Sequence, residues 1–408
     1  MKSISSKWAA FFAVAFGPLM ATFDSSAVNV SLPIIARNFN ALLTQVEWVV
    51  TGYLLALGFL LMPFGILGDR WGKKKFFRIG ILAFVFSSIF CALTQNIYQL
   101  IVCRILQGMG GAIFISIAPA LLVEAFPSSE RGKAMGLMGT CVSAGLMFGA
   151  PVGGLLTHYF SWRAIFFVNL PIGVIGFFLS EKFLPKDQIS QKVLKFDWAL
   201  LKNRFFIGGN ISLFLYFLSL FVLYFLTPFY LTEILHFSPQ KVGLTMMMFS
   251  VSFALMMPVS GWLSDHVGSR ILSPVGLFLS ALMYIWIAQL TERALQGEVI
   301  LRLMCLGLAS GLFQAPNNSA LMGSVPKQQL GMASALMATM RTLGLMSGVS
   351  LATFVFSSRV SAHDGFGRYF SAHEVPSSLF IPAYHDTLLF ASGIIVLSIF
   401  FSLLRGKS

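Results

Sequence analysis

At 408 residues, with 57% hydrophobic and only 11% charged side chains and a mean hydropathy of +0.81, this chain lies outside the range of water-soluble globular proteins, where about a quarter of residues are charged. The net charge of +13 is not a nucleic-acid footprint, because Lys and Arg gather in short loops on alternate sides of apolar runs, with no basic stripe and no interleaved aromatics. Cys91, Cys103, Cys141 and Cys305 fall inside apolar runs without paired spacing, and no nucleophile motif, zinc spacing or phosphate loop occurs, so the reading is a non-enzyme with no metal, cofactor or disulfide framework.

Taken in chain order, the apolar runs predict twelve membrane spans. The first, over 9–33, carries Asp24 and Asn29. With Lys2 and Lys7 ahead of it, it has the outline of a signal peptide. Its polar residues and the spans that follow predict a retained helix instead. The second span, 46–67, runs into the loop GILGDRWGKKK at 65–75. Spans three to six follow at 76–95, 99–123, 133–157 and 163–180. The fourth carries Arg104, and the fifth is rich in glycine. A polar stretch at 181–204 comes next. Its Ile189, Val193, Leu194, Leu200 and Leu201 recur at helical spacing among lysines, the pattern of an amphipathic surface helix. The second half repeats the plan at 205–232, 241–263, 271–290, 298–322, 331–356 and 384–404.

A second loop, GWLSDHVGSR at 261–270, matches the first in sequence and position. The chain therefore reads as two homologous bundles, 1–180 and 205–408, joined by the linker 181–204. The fold class expected is an all-α membrane protein of two pseudo-symmetric six-helix bundles. Basic residues concentrate in the even loops and at both ends, which places both termini in the cytoplasm of a bacterial-type inner membrane.

The chemistry is carried by a few intramembrane polar residues. Asp24 is the one acid well inside the predicted bilayer, roughly 20 Å from the inner end of its span at 1.5 Å per residue. Arg104 falls at about the same depth in the fourth span by that arithmetic. Two functions fit such a pair. A carboxyl that trades its partner between two states couples protons, whereas a fixed ion pair specifies helix packing. Arg341 in the eleventh span, and Gln314, Asn317 and Asn318 around Pro316 in the tenth, are candidates with Asn29 for a polar substrate cavity. The amides serve equally well as interhelical hydrogen bonds.

In the two loops, Gly65, Gly68 and Gly72 permit close helix approach and a tight turn, while Asp69, doubled as Asp265, can face a helix N-terminus. Residues 65–75 resemble the loop signature of the major facilitator superfamily. FDSSAVNVSLP at 23–33 is similar to the first-helix signature of its drug:proton antiporter branch, which usually has fourteen spans; RILQGMGGA at 104–112 resembles the superfamily's fourth-helix motif, and GLMFGAPVGG at 145–154 the fifth-helix signature associated with antiporters. The resemblance implies a cytoplasmic gate latched by Asp69 and Arg70, with Glu124, Glu130 and Arg131 as partners. Lys73, Lys74 and Lys75 are expected only to fix topology. It also implies an antiporter helix in which Gly145, Gly149, Pro151, Gly153 and Gly154 give a thin surface where the halves meet. In that branch, segments like KFDW (195–198) and LLKNRFF (200–206) flank an extra helix pair; here they are fused, which implies that the pair is missing.

The function expected is proton-coupled export of amphiphilic small molecules by a monomer surrounded by lipid, with no nucleic-acid partner. One buried acid against two arginines makes neutral, zwitterionic or weakly acidic amphiphiles at least as suitable as cations. The alternatives are export of one metabolite, such as a siderophore or lipid-like compound, and a non-transporting or inactive protein on a transporter scaffold.

Overall fold

The computed structural model describes residues 4–127, 130–184, 187, 203–326, 329–364 and 375–403. Among them are twelve long helices: α1 (Ile4–Phe39), α2 (Leu43–Trp71), α3 (Lys73–Leu93), α4 (Ile97–Ala125), α5 (Arg131–Tyr159), α6 (Arg163–Phe183), α7 (Arg204–Phe229), α8 (Pro239–Val267), α9 (Ser269–Ala288), α10 (Gln296–Gly323), α11 (Leu330–Asp364) and α12 (Ser377–Leu403). All twelve are long and apolar enough to cross a membrane. A helix suits such a run, because hydrocarbon offers no partner to a free backbone N–H or C=O and a helix satisfies both within one segment. Large apolar side chains, among them Phe59, Phe86, Phe178 and Phe354, stay exposed around the helices, as a lipid-facing surface requires.

Helix starts follow local chemistry. The Asn96, Asn203 and Ser238 side chains accept from the backbone N–H of Gln99, Phe206 and Lys241, and Pro239 takes the first turn of α8, where no N–H is needed. Several helices outrun the apolar runs that announced them. α1 extends from 9–33 to Ile4–Phe39 and α11 from 331–356 to Leu330–Asp364. Hydropathy marks the part in hydrocarbon, while the hydrogen-bond ladder continues through the interface. The predicted amphipathic helix at 181–204 falls mostly on residues outside those described.

The chain forms two compact units, Met1–Ser31 with Trp48–Lys195 and Leu32–Glu47 with Phe196–Ser408. The division after 195 lies within the segment 181–204, and Leu32–Glu47 groups with the second unit. The end of α1 and the start of α2 make their contacts with the later helices.

Inside each unit, glycine sets how close the helices lie, and equivalent helices use it alike. In the first unit, a methyl at Gly149 would sit 2.6 Å from the Phe23 carbonyl oxygen, and one at Gly153 the same distance from the Ala27 Cα. The stripe on α5 thus packs against α1, where the resemblance had implied a surface for the other half. Small residues at four-residue spacing leave no ridge, so the α5 backbone reaches α1 directly. In the second unit, Gly344 and Gly348 of α11 meet the Phe214 and Leu218 carbonyls of α7 in the same way. Gly108 of α4 on Tyr53 of α2 is likewise echoed by Gly307 of α10 on Phe249 of α8. Serine hydroxyls add polar ties: Ser260 donates to the Gly311 carbonyl at 2.8 Å and Ser392 to that of Ala281 at 3.0 Å.

This packing makes a direct prediction. Gly149→Ala should destabilise the protein by about 1–3 kcal/mol through overpacking. Gly139→Ala, at a position with nothing within 4 Å, should be neutral. Thermal unfolding in detergent, read by loss of the monodisperse peak, distinguishes the two.

Candidate functional site

The first unit encloses a fully buried polar cluster built by five helices. Asp24 of α1 and Arg104 of α4 meet at 2.5 Å, with side chains 0% and 1% exposed. The carboxylate accepts from three donors. Arg104 serves Oδ2, while the Gln107 amide donates to Oδ1 at 3.0 Å and the Asn169 amide of α6 at 2.7 Å. The guanidinium is equally well held. Its Nε donates to the Val49 carbonyl of α2 at 3.2 Å, its Nη1 also reaches the Gln107 Oε1, and its carbon lies 4.2 Å above the Tyr53 ring. Ser88 of α3 closes the network by accepting from Gln107 at 2.7 Å and from Asn169 at 3.3 Å.

Sequence explains this convergence locally. Gln107 lies three residues after Arg104, on the same face of α4, and Gly108 beside it lets α4 approach the Tyr53 carbonyl closely. A charge at this depth is tolerated only with full pairing, and removing one partner of such a pair costs about 3–5 kcal/mol. The geometry also carries an exchange capability. Were Asp24 neutral, the guanidinium would still have Val49, Gln107 and the Tyr53 ring as acceptors.

Gln107, Asn169, Ser88 and Tyr53 were not singled out from sequence. The first stands within RILQGMGGA, and Asn169 is a lone amide in an apolar run, so both carried a readable signal. Ser88 and Tyr53 did not, since hydroxyls and tyrosines are common in spans.

At the loop between α2 and α3, the structure rearranges the expected partners. Glu124 pairs with Lys73, which also reaches Asp69 at 3.3 Å, and Glu130 pairs with Lys7 at 2.6 Å. Arg70 is exposed and makes no ion pair among the described residues. The Arg131 side chain lies outside what is described. The expectation that the lysines act only on topology therefore fails for two of them. Lys73 begins α3 one turn after Asp69, at i,i+4, and its amine bridges two carboxylates, while Lys74 donates to the Glu181 carbonyl at 2.6 Å. Their backbone is engaged too: the N–H groups of Lys74 and Lys75 donate to the two oxygens of Asp187, at 2.7 and 3.2 Å. Gly72 makes this possible. Its φ of +98° suits glycine, and a methyl there would collide with the Asp187 carboxyl. A methyl on Gly68 would come within 2.7 Å of Ile117, whereas Gly65 has only Ser116 nearby, at 3.8 Å.

The second loop copies the backbone without the ion pairs. Gly268 has φ +91° and its N–H donates to the Ser264 carbonyl at 2.9 Å, as Gly72 does to Gly68 at 3.1 Å. Asp265 is exposed and unpaired with any cation among the described residues.

The candidate cavity residues are divided between the units. Asn29 is buried in the first. Gln314, Asn317 and Asn318 share α10 in the second, with Asn317 fully buried and the other two partly so. Arg341 of α11 is partly buried, and no carboxylate lies within ion-pair reach of it among the described residues. In α5, Gly145, Gly149, Pro151, Gly153 and Gly154 are all buried.

The chain is 28% identical to the riboflavin transporter RibZ of Clostridioides difficile, over 91% of this chain and 93% of that protein. It is 26% identical to the multidrug resistance protein Stp of Mycobacterium tuberculosis, over 86% of this chain and 76% of that one. Among solved structures, a bacterial homolog of the human lysosomal transporter Spinster superposes with a TM-score of 0.81 at 14% identity, covering 99% of this chain and 97% of that one. The D-xylose-proton symporter gives 0.76 at 15% identity, over 95% and 97%. The family profile of the Major Facilitator Superfamily matches residues 14–349, and the chain belongs to that family of membrane transporters.

Proposed function

We propose that this transporter is a proton-coupled exporter of amphiphilic small molecules working by alternating access, with Asp24 as the group that takes up and releases the proton. The observation that carries the reading is the multiple pairing of both members of the buried pair. Asp24 accepts from Arg104, Gln107 and Asn169 at once. Arg104 holds alternative acceptors in reserve. A proton on Asp24 weakens three contacts at once, which gives the helices α1, α4 and α6 a second arrangement. A group that must shed donors to accept a proton ties protonation to helix movement. The basic loops support insertion in a bacterial plasma membrane with both termini inside.

On the substrate side, the uncompensated Arg341 favours an acidic or zwitterionic head group, and the amides of α10 favour hydrogen-bonding ones. Stp, by its name a multidrug resistance protein, supports breadth. A second reading, transport of a single metabolite, is favoured by the fuller match to RibZ, of which 93% is covered against 76% of Stp.

Two experiments test these assignments. In proteoliposomes carrying an imposed proton gradient, Asp24→Asn should abolish gradient-driven movement across a panel of ethidium, riboflavin and an anionic dye. Retained gradient-driven transport would remove Asp24 from the mechanism, and the panel separates broad from single-substrate transport. Arg341→Gln should selectively weaken the acidic member. For the pair itself, Arg104→Gln should destabilise the protein by about 3–5 kcal/mol, because it strands a buried carboxylate. Asp24→Asn combined with Arg104→Gln should recover most of that loss in the thermal unfolding of the purified double variant.

A further inference from the structure

The cluster around Asp24 holds two side-chain amides, and they are not equivalent. Gln107 has both ends engaged. Its oxygen accepts from Arg104 Nη1 and, at 3.8 Å, from the Cys91 thiol, while its nitrogen donates to Asp24 Oδ1 and to Ser88. Turning this amide over would set its N–H groups against the guanidinium, so the fixed charge of Arg104 pins it. Asn169 is held at one end only. Its Nδ2 donates to Asp24 Oδ1 at 2.7 Å and to Ser88 at 3.3 Å, whereas its buried Oδ1 has no hydrogen-bond partner among the described residues. A buried acceptor left idle is uncommon and costs stability, so one beside an ionisable group calls for a reason.

The orientation of Asn169 follows from the charge of Asp24. A carboxylate only accepts, so at 2.7 Å it takes the N–H side of the amide and repels the oxygen. Protonation reverses that demand. Oδ2 faces the Arg104 guanidinium, while Oδ1 faces two neutral amides. The proton therefore goes to Oδ1, away from the cation, and that oxygen becomes a donor in need of an acceptor.

Few acceptors are at hand. Among the described residues, the charged or titratable side chains that interact with Asp24 are Arg104 of α4, Tyr53 of α2 and Cys91 of α3. Arg104 only donates, the Cys91 thiol is turned to Gln107, and Tyr53 gives its ring face to Arg104 with its hydroxyl beside Gly111. α5 meets α1 through glycine. Ser88 already accepts from both amides and commits its own proton to the Phe84 carbonyl at 2.7 Å. The idle Asn169 Oδ1 is half a turn of its amide away.

We propose that Asn169 is the positioning residue for the proton on Asp24: when the carboxylate is protonated the amide reverses, and its oxygen accepts the acid O–H. The contact between Asp24 and Asn169 then survives in both protonation states with its direction exchanged. Ser88, which accepts from this arm of Asn169 while Asp24 is charged, can turn its own proton to it once Asp24 is neutral. The two contacts from α4 have no such remedy, because Arg104 and Gln107 present only donors to Asp24. A proton thus loosens α1 from α4 and leaves it tied to α6. The inference rests on Asp24 as the proton carrier and adds where the proton sits and what holds it.

The test is infrared difference spectroscopy of the purified protein in lipid as the pH is lowered, with asparagine carrying heavy carbon in its side-chain carbonyl. Protonation of Asp24 should give an acid carbonyl band that Asp24→Asn abolishes. With it should come a label-sensitive asparagine carbonyl band, as Asn169 Oδ1 gains a hydrogen bond. That second band should be lost in Asp24→Asn and in Asn169→Leu. Should the leucine variant fail to fold, Asn169→Ser, smaller and still polar, should show the same loss. An Asp24 acid band with no asparagine band beside it, or an asparagine band that persists without Asn169, overturns the proposal and leaves Asp24 as the carrier. Absence of any Asp24-dependent acid band removes the carrier and the proposal together, so the two failures read differently.

Discussion

A carboxylate and a guanidinium with no access to solvent impose the condition that organises the first unit. Each would carry a desolvation penalty of several kcal/mol alone in a low-dielectric interior, so every lone pair and every N–H must find a partner. Asp24 and Arg104 draw their partners from α1, α2, α4 and α6, and Ser88 of α3 holds the two amides in place by accepting from both. The relative positions of five helices are therefore set by one charge pair. A single proton changes the requirement for all of them.

That arrangement depends in turn on the absence of side chains elsewhere. Gly149 and Gly153 let α5 reach the backbone of α1 on either side of Asp24, and Gly108 lets α4 reach α2 next to Arg104. Without a hydrophobic driving force between helices in lipid, such backbone contacts and the serine ties supply most of the association. The second unit reuses the contacts at Gly307, Gly344 and Gly348, and among the described residues no acid is buried at their centre. The two units therefore share their packing and differ in polar content.

The fold was legible because hydrocarbon leaves so little choice. Twelve apolar runs became twelve helices, and the doubled loop returned as two turns with glycine at positive φ. Asp24 and Arg104 were readable by depth alone, since a helix converts residue count into distance. Direction around the helix was harder to read. The glycine stripe of α5 faces α1, an orientation that spacing alone leaves undetermined. Lys73 has partners on two elements, and Arg70 has none among the described residues. Loop charges choose partners by tertiary position, which periodicity does not encode. The attachment of Leu32–Glu47 to the second unit was likewise invisible, because Arg37 and its partner Glu233 are separated by 196 positions and each looks like an ordinary interfacial charge.

The capping of α3 has a consequence for how the protein is made. Gly72 offers no side chain to the first N–H groups of that helix, and the carboxylate that accepts from Lys74 and Lys75 arrives 113 and 112 residues later in the chain. A ribosome releases residue 187 only after the whole of α6 has left it. Through the synthesis of three further spans, the start of α3 has only water or other transient partners for those two donors. The signature loop therefore reaches its final form as a late event of biogenesis, set by the arrival of Asp187.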